Sequence, residues 1–340
     1  MLMAISRTPY RVSFFGGGTD YPPWYRQHGG AVLSMAIDKY CYIGAGFLPP
    51  FFGIRHRIIW SHIETVASAA EIQHPAVRVG LEYMGFDDSQ GMELFHQGDL
   101  PARSGIGSSS SFAVGLINAL SVMKGKRLDA KALALGAIDL EQNKLKEAVG
   151  CQDQIASAYG GFNIVRFERD DSFTVTPLGL GDERRKEFES WLMLFYTGSS
   201  RLSSDFAKRL IRNLDANTRH MKQMHEMVDE GAELLHAGKI EDFGKLLHKG
   251  WTLKRALANG TSNSAIDRVY DDALRAGAIG GKLLGAGGTG FMVFVVPPDR
   301  QPAVAAALSE LMTVPICVDF TGSTIVYDRQ EVLAAGGKPR

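Results

Sequence analysis

The sequence predicts an α+β protein in two parts: an N-terminal sheet-and-helix domain over residues 1–190, and a C-terminal domain over residues 191–340 that ends in a small ferredoxin-like sandwich. Three observations predict this. β-branched and aromatic residues concentrate in the first sixty or so positions. A glycine- and serine-rich turn, LPARSGIGSSSSF from Leu100 to Phe112, runs straight into a helical pattern. The C-terminal stretch reads as helix, strand, strand, helix, strand.

Taken in order, Arg7 to Phe15, Ala31 to Phe47 and Arg55 to Ser61 read as strands of an early sheet. Phe112, Leu116, Ile117, Leu120 and Met123 then recur at helical spacing, so an amphipathic helix begins close to the serines. A second helix is expected from Ala130 to about Glu147, with Leu133, Leu135, Ile138, Leu140 and Leu145 as its buried stripe. Gly160 and Gly161 break the chain before a strand at Phe162 to Phe167, and Trp191 to Thr197 reads as a buried strand near the domain junction. The pattern turns helical after Ser203. Ala265 to Ala276 places Ile266, Val269, Tyr270, Ala273 and Leu274 on one face and stops at Gly277, as a glycine-capped helix should. A strand, a glycine turn, a strand at Phe291 to Val296, a helix at Arg300 to Met312 and a strand at Ile316 to Phe320 complete the chain.

Composition sets bounds. The 340 residues suffice for two cores, 45% of them are hydrophobic, and the formal net charge is zero. That balance removes the simplest electrostatic case for nucleic-acid or anionic-membrane binding, so neither is expected as a partner. Three cysteines, Cys41, Cys151 and Cys317, are too few and too far apart for a disulfide framework, which fits a reducing cytoplasm. His220 and His225 have no cysteine or carboxylate partners at zinc spacing. No signal-peptide or membrane-span pattern is visible. Glycine makes up 38 of the residues, about 11% against a usual value of roughly 7%, and the excess gathers at Gly16 to Gly18, at Gly105 with Gly107, and at Gly280 to Gly290. Three backbone loops approaching one ligand is the implication.

The middle cluster has the physics of a phosphate cradle. A helix start carries about half a positive charge and several outward-pointing N–H groups, and Gly105 and Gly107 let a polyphosphate touch bare backbone. Serines are favoured caps there, and spare hydroxyls suit Mg²⁺, which prefers hard oxygen ligands shared with phosphate. On this segment alone, a Gly/Ser loop capping an ordinary core helix is the other reading. The glycines of GAGGTG (Gly285, Gly287, Gly290) literally fit a dinucleotide fingerprint, but they lead into a β-rich run instead of opening a helix. Leu100 to Phe112 lacks the Lys-Ser or Lys-Thr of a Walker loop, and no Gly-x-Ser-x-Gly elbow occurs at a strand-to-helix turn.

Three segments together, TPYRVSFFGGGTDY (Thr8 to Tyr21), LPARSGIGSSSS (Leu100 to Ser111) and KLLGAGGTGF (Lys282 to Phe291), resemble the three ordered motifs of the GHMP kinases. Within that superfamily FFGGGTDYPPWY, HGGAVLSMAIDKYCYI, DLPARSGIGSSSSF and VGCQDQIASAYGG are most similar to the heptose 7-phosphate kinases, with fucokinase domains as the nearest competitors. The resemblance implies a two-domain kinase binding ATP between its domains. Arg103, Ser104, Gly105, Ile106, Gly107, Ser108, Ser109 and Ser110 would wrap the triphosphate. Ser109, with Ser108 and Ser110 as near alternatives, and Glu141, twelve residues before Asp153, would hold Mg²⁺. Asp153, in GCQDQ, would accept or orient the proton of the sugar's anomeric hydroxyl, with Arg11 keeping it ionised and offsetting transition-state charge.

Asp20, in GGGTDY, matches the aspartate that sugar kinases of this group turn toward substrate hydroxyls. Gly17, Gly18, Thr19 and Tyr21 around it, and Gly287 and Gly288 of the third motif, are assigned to the substrate, with closure of a hairpin as the other role for the third-motif glycines. The implied reaction is phosphorylation of D-glycero-D-manno-heptose 7-phosphate to the 1,7-bisphosphate, feeding nucleotide-activated heptose for capsule or lipopolysaccharide. A substrate that already bears a phosphate needs a cationic pocket. Arg201 is the favoured candidate, ahead of Lys208, Lys39, Arg55 and Arg57. A fucose or galactose 1-kinase, and a catalytically silent sugar and nucleotide sensor on the same fold, are the competing readings. Oligomeric state stays open, a homodimer included.

Overall fold

The computed structural model describes residues 3–198, 217–257, 261–285 and 287–329. Two sheets organise it. Strand β1 (Met3–Phe15) and the long β2 (Gly30–Leu48) form an antiparallel ribbon, joined through the short helix α1 (Pro22–His28). Because β2 has nineteen residues, its other edge serves two strands in succession: β6 (Phe162–Phe167) along its first part and β5 (Gly91–Gly98) along its last. The sheet continues through β3 (His56–Ile59), parallel to β5, to β4 (Ile63–Val66), and β7 (Phe173–Pro177) extends β6.

Helices α2 (Pro75–Tyr83), α3 (Ser108–Met123), α4 (Ala130–Ile138) and α5 (Gln152–Tyr159) build the layer against this sheet. The expected amphipathic helix after the serines is instead buried on every side from Ser110 to Met123. It lies between the β1–β2 ribbon and the other helices, and its polar members find partners inside: Ser111 Oγ donates to Pro9 O at 2.9 Å, and Ser6 Oγ reaches Gly115 O at 2.7 Å. The helix expected to run to Glu147 ends earlier. α4 stops at Ile138, a π-helical turn spans Asp139–Lys144, and Leu135 of the expected stripe faces solvent.

Helix α6 (Asp182–Ser190) leads to β8 (Leu192–Tyr196), which opens the second sheet. Two long helices, α7 (Thr218–His236) and α8 (Ile240–Leu257), precede α9 (Ser264–Ala276), and Gly277 ends α9 in the left-handed conformation anticipated. Strands β9 (Gly280–Leu283), β10 (Phe291–Val295) and β11 (Met312–Val314), with α10 (Gln301–Ala307) between the last two, give the antiparallel order β11-β8-β10-β9.

Two parts of the expected sandwich differ. The closing strand is Met312–Val314, not Ile316 to Phe320, because Pro315 has no N–H to continue the ladder; Val318 makes one isolated bridge to Ile37. The last strand, β12 (Thr324–Asp328), leaves the second sheet altogether and pairs with β1.

The lobes share a core. Phe14 and Phe15 at the end of β1 meet Phe188 of α6 and Phe243 of α8 at ring-centroid distances of 5.1 to 5.6 Å, mostly edge-to-face. Phe243 is fully buried at the middle of this cluster. Replacing it with alanine is expected to cost about 3–5 kcal/mol, seen as a lower denaturant midpoint in an equilibrium melt, with both lobes destabilised together.

Candidate active site

The phosphate loop forms where a helix begins without a cap. Gly107 occupies the position before α3 in a left-handed conformation, and no side chain caps the helix. Serine capping, expected from sequence, is therefore replaced by other uses of the hydroxyls. Ser108 Oγ accepts from Arg103 N at 3.0 Å, while Ser109 and Ser110 donate to Glu141 at 2.7 and 2.8 Å. Ser111 N closes the first helical bond on Gly107 O, leaving the amides of Ser108 to Ser110 without partners inside the helix. Those three N–H groups and the helix dipole are an arrangement that suits an anion.

Of the residues assigned to the triphosphate, Ser104 and Ile106 turn their side chains into the protein. Ser104 Oγ donates to Pro101 O at 2.6 Å, and Ile106 is fully buried. Their carbonyls tie the loop down, Ser104 O accepting from Phe291 N and Ile106 O from Arg11 N. Arg103 is exposed and holds a positive φ of 59°.

Arg11, on β1 and only 4% exposed, is the centre of the arrangement. Its Nε and Nη2 each lie 2.7 Å from an oxygen of Asp153, a bidentate pair, and its Nη1 donates to Gly105 O at 2.6 Å. Asp153 sits in the first turn of α5 and stays partly open to solvent. Asp20 lies beside it, buried, accepting from Gly18 N at 2.9 Å and Gln152 N at 3.3 Å. Burial raises the Asp20 pKa, and the neighbouring Asp153 charge raises it further. Only a glycine fits at position 150, since a Cβ there would fall 1.8 Å from Asp20 Oδ2.

Tyr21 borders both carboxylates. Thr19 does not face the opening: its Oγ1 lies 2.8 Å from both Gly16 O and Ala31 O and accepts from Ala31 N, so it braces the loop that presents Asp20. Gly17 packs near Gln152.

Glu141 reaches the serines because the π-helical turn swings it inward. It is 1% exposed, accepts a third bond from Gln154 Nε2 at 2.6 Å, and has its pKa pushed up to about 7 by burial, against the pull of its three donors. Ser109 Oγ with a carboxylate is a hard-oxygen donor pair of the type Mg²⁺ takes alongside phosphate, and Glu141 is the one acidic side chain bonded to the loop serines among the described residues.

The third motif meets the second backbone to backbone. A Cβ on Gly285 would lie 2.4 Å from Gly105 Cα, a contact only two glycines permit. Gly287 and Gly288 face elsewhere, packing on the turn at Thr261 to Asn263, where Gly288 N donates to Thr261 O and Asn263 Nδ2 to Gly288 O. Among the basic candidates, Lys39 pairs with Asp38 and Arg57 with Glu93, while Arg201 and Lys208 lie outside the described residues. Sequence reasoning missed Gly150, the bracing Gln154, and two lysines of the second lobe. Lys254 on α8 donates to Gly285 O, and buried Lys282 on β9 donates to Phe14 O at 2.9 Å. A signal existed for Lys254, since it continues the inward stripe of Phe243, Leu247 and Trp251.

The GHMP kinase N-terminal domain model matches residues 67–161, which hold the phosphate loop, Glu141 and Asp153, and the GHMP kinase C-terminal model matches residues 232–313, which hold the third motif. The chain belongs to the GHMP kinases. As a GHMP kinase it is a phosphotransferase of the sugar-kinase kind, taking its phosphoryl group from ATP and acting on an alcohol group. It is similar to the D-glycero-alpha-D-manno-heptose 7-phosphate kinase of Campylobacter jejuni, 28% identical over 325 residues, covering 89% of this chain and 92% of that protein. It is also similar to the L-fucokinase/L-fucose-1-P guanylyltransferase of Bacteroides fragilis, 26% identical over 88% of this chain but only 35% of that longer protein. Its fold matches the crystal structure of a D-glycero-D-manno-heptose 1-phosphate kinase from Bacteroides thetaiotaomicron with a TM-score of 0.76 at 24% identity, covering 95% and 98% of the two chains. The Lactococcus lactis galactokinase complexed with galactose matches with a TM-score of 0.74 at 18% identity, covering 95% of each.

Two outcomes test this GHMP kinase site. Glu141→Gln should lower turnover at least about 10²-fold while circular dichroism shows an unchanged fold. Asp20→Asn should raise thermal stability near neutral pH, because a carboxyl whose pKa is raised on folding is destabilising once ionised; the gain should shrink as pH falls from the raised folded-state value toward the ordinary carboxylate value, and be gone below it. A melt series from pH 4 to 8 reads that difference.

Proposed function

We propose that this GHMP kinase phosphorylates the anomeric hydroxyl of D-glycero-D-manno-heptose 7-phosphate, giving the 1,7-bisphosphate for nucleotide-activated heptose used in capsule or lipopolysaccharide. It would act in the cytoplasm with Mg²⁺, residues 1–190 carrying the phosphate loop and Asp153, and residues 191–340 the third motif. Among the described residues no helix is long and apolar enough to cross a membrane. The observation that carries the reading is the pair of carboxylates Asp20 and Asp153 beside the phosphate loop, one buried and bonded to backbone amides, the other fixed by Arg11. The nearly full-length likeness to the Campylobacter heptose 7-phosphate kinase supports the choice of sugar.

In this reading Arg103 to Ser110 receive the triphosphate, chiefly through the free amides of Ser108 to Ser110. Ser109 and Glu141 would hold Mg²⁺, which would neutralise phosphate charge when bound. Asp20 accepts hydrogen bonds from sugar hydroxyls, with Gly17, Gly18 and Tyr21 beside the ring. Asp153 takes or aligns the proton of the attacking hydroxyl, and Arg11 keeps its two oxygens in place. Phosphoryl transfer depends mainly on such positioning and on charge neutralisation. Arg201 is assigned to the 7-phosphate.

ADP release across heptose 7-phosphate, fucose, galactose and mannose tests the substrate. A preference of at least about tenfold in kcat/KM for the heptose phosphate is expected; a preference for fucose would replace it with a fucokinase reading, to which the Bacteroides fragilis relative points. Asp153→Asn should keep ATP binding, measured calorimetrically, yet lose about 10²- to 10⁴-fold in turnover. Unchanged turnover would remove Asp153 from the reaction.

A further inference from the structure

Arg11 is the one cation used so far at the reacting centre, and the second lobe brings another. Lys254 Nζ donates to Gly285 O and lies 3.5 Å from Leu283 O. Both partners are carbonyls, and among the described residues no carboxylate comes within ion-pair distance of it. An ammonium drawn from water without a counter-ion is costly, so such a position is completed by an anion. Its place says which one. Lys254 holds Gly285, Gly285 lies on Gly105 of the phosphate loop, and Arg11 holds the same Gly105 through its carbonyl. Two cations from different lobes therefore flank one stretch of the loop that receives phosphate. The charged groups whose fields reach Lys254 are Arg11 from β1, Asp20 from the loop after it, Asp153 from α5 and Lys282 from β9.

We propose that Lys254 is a second catalytic cation, contacting the transferring phosphoryl group from the second lobe while Arg11 acts from the first. This rests on the kinase reading above. During transfer the acceptor oxygen bonds to the γ-phosphorus, the bond from that phosphorus to the bridging oxygen breaks with its electron pair leaving on ADP, and the acceptor proton passes to Asp153. Lys254 gives up no proton. Two of its three N–H donors serve carbonyls and the third is left for a phosphoryl oxygen, where the ammonium offsets charge developing in the transition state. Desolvation, and then Arg11, lower its pKa to about 8 against the pull of Asp153 and Asp20. A bound triphosphate raises that value again. Activity of the free enzyme, read as kcat/KM, therefore falls as pH rises above about 8, while kcat, which reports the complex, persists to higher pH.

The test compares wild type with Lys254→Met and Lys254→Arg. The methionine variant should lose about 10²- to 10³-fold in kcat with less than about fivefold change in KM for Mg·ATP. The arginine variant should recover at least about tenfold of that loss and move the alkaline limb of kcat/KM up by more than about one pH unit. Independently, wild-type protein is acetylated with an N-hydroxysuccinimide ester near pH 8, and modification at Lys254 is followed by peptide mass spectrometry. A non-hydrolysable ATP analogue with Mg²⁺ should slow it at least about tenfold and AMP should not. A folded methionine variant with kcat within threefold of wild type, or labelling indifferent to the analogue, overturns the proposal. Should the methionine variant fail to fold, the arginine variant and the protection experiment decide. Protection does not require any sugar to be phosphorylated, so an inactive substrate panel would remove the kinase reading while leaving contact between triphosphate and Lys254 separately measured.

Discussion

The structure depends on keeping one buried guanidinium satisfied. Arg11 projects from the centre of the first sheet into space from which water is nearly excluded, and an unpaired charge there would cost several kcal/mol. Its donors are answered by both oxygens of Asp153 and by Gly105 O, while its own amide is answered by Ile106 O. Those partners belong to a helix start and a glycine loop far apart in sequence. Satisfying Arg11 fixes where the phosphate loop lies relative to Asp153, and the bidentate geometry fixes the direction of the carboxylate as well. The separation between the glycine loop and Asp153 is thus set by a rigid fork, not by the stiffness of a loop.

Around that fork, the places where the chain departs from regular structure are the places that make the site. α4 passes into a π-helical turn, which carries Glu141 to the serines. α3 begins without a side-chain cap, which leaves its first amides available to an anion. Each departure gives up local stability, and each is offset by burial: α3 is enclosed along almost its whole length, and Glu141 has three donors. Burial holds the Glu141 carboxyl up at about 7 against the pull of its three donors, so a positive partner beside it would favour the ionised form.

Much of this is legible in the sequence because it depends on spacing and on residues with few conformational options. Concentrations of β-branched and aromatic residues locate β1 and β2, a strand-like run after Gly160 and Gly161 locates β6, the glycine stop locates the end of α9, and three glycine clusters at ordered separations indicate loops brought to one place. The features that escape are set by contacts between distant segments. Leu135 is grouped with an apolar stripe but faces solvent, because it stands two positions, about half a turn, from buried Leu133 on the same helix. Thr19 sits in a substrate-like motif yet spends its hydroxyl on two carbonyls. β12 pairs with β1 across more than three hundred residues, a partnership no local pattern announces. Gly150 looks like an ordinary breaker until Asp20 is seen beneath it.

The join between the lobes bears on how substrates enter. Phe14, Phe15, Phe188 and Phe243 form one aromatic cluster across it, and Lys282 of the second sheet reaches through to Phe14 O, two residues before the first glycine loop. β12 adds a covalent return from the second half of the chain to the first sheet. Opening the lobes as rigid bodies would expose those rings and strand a buried lysine, a cost far above that of bending a loop. The Arg11, Gly105 and Gly285 contacts therefore stay closed beneath a surface at which Asp153 and Ser109 are already open to solvent. A site held this way would meet a ligand already arranged, with no binding energy spent on bringing its charges together.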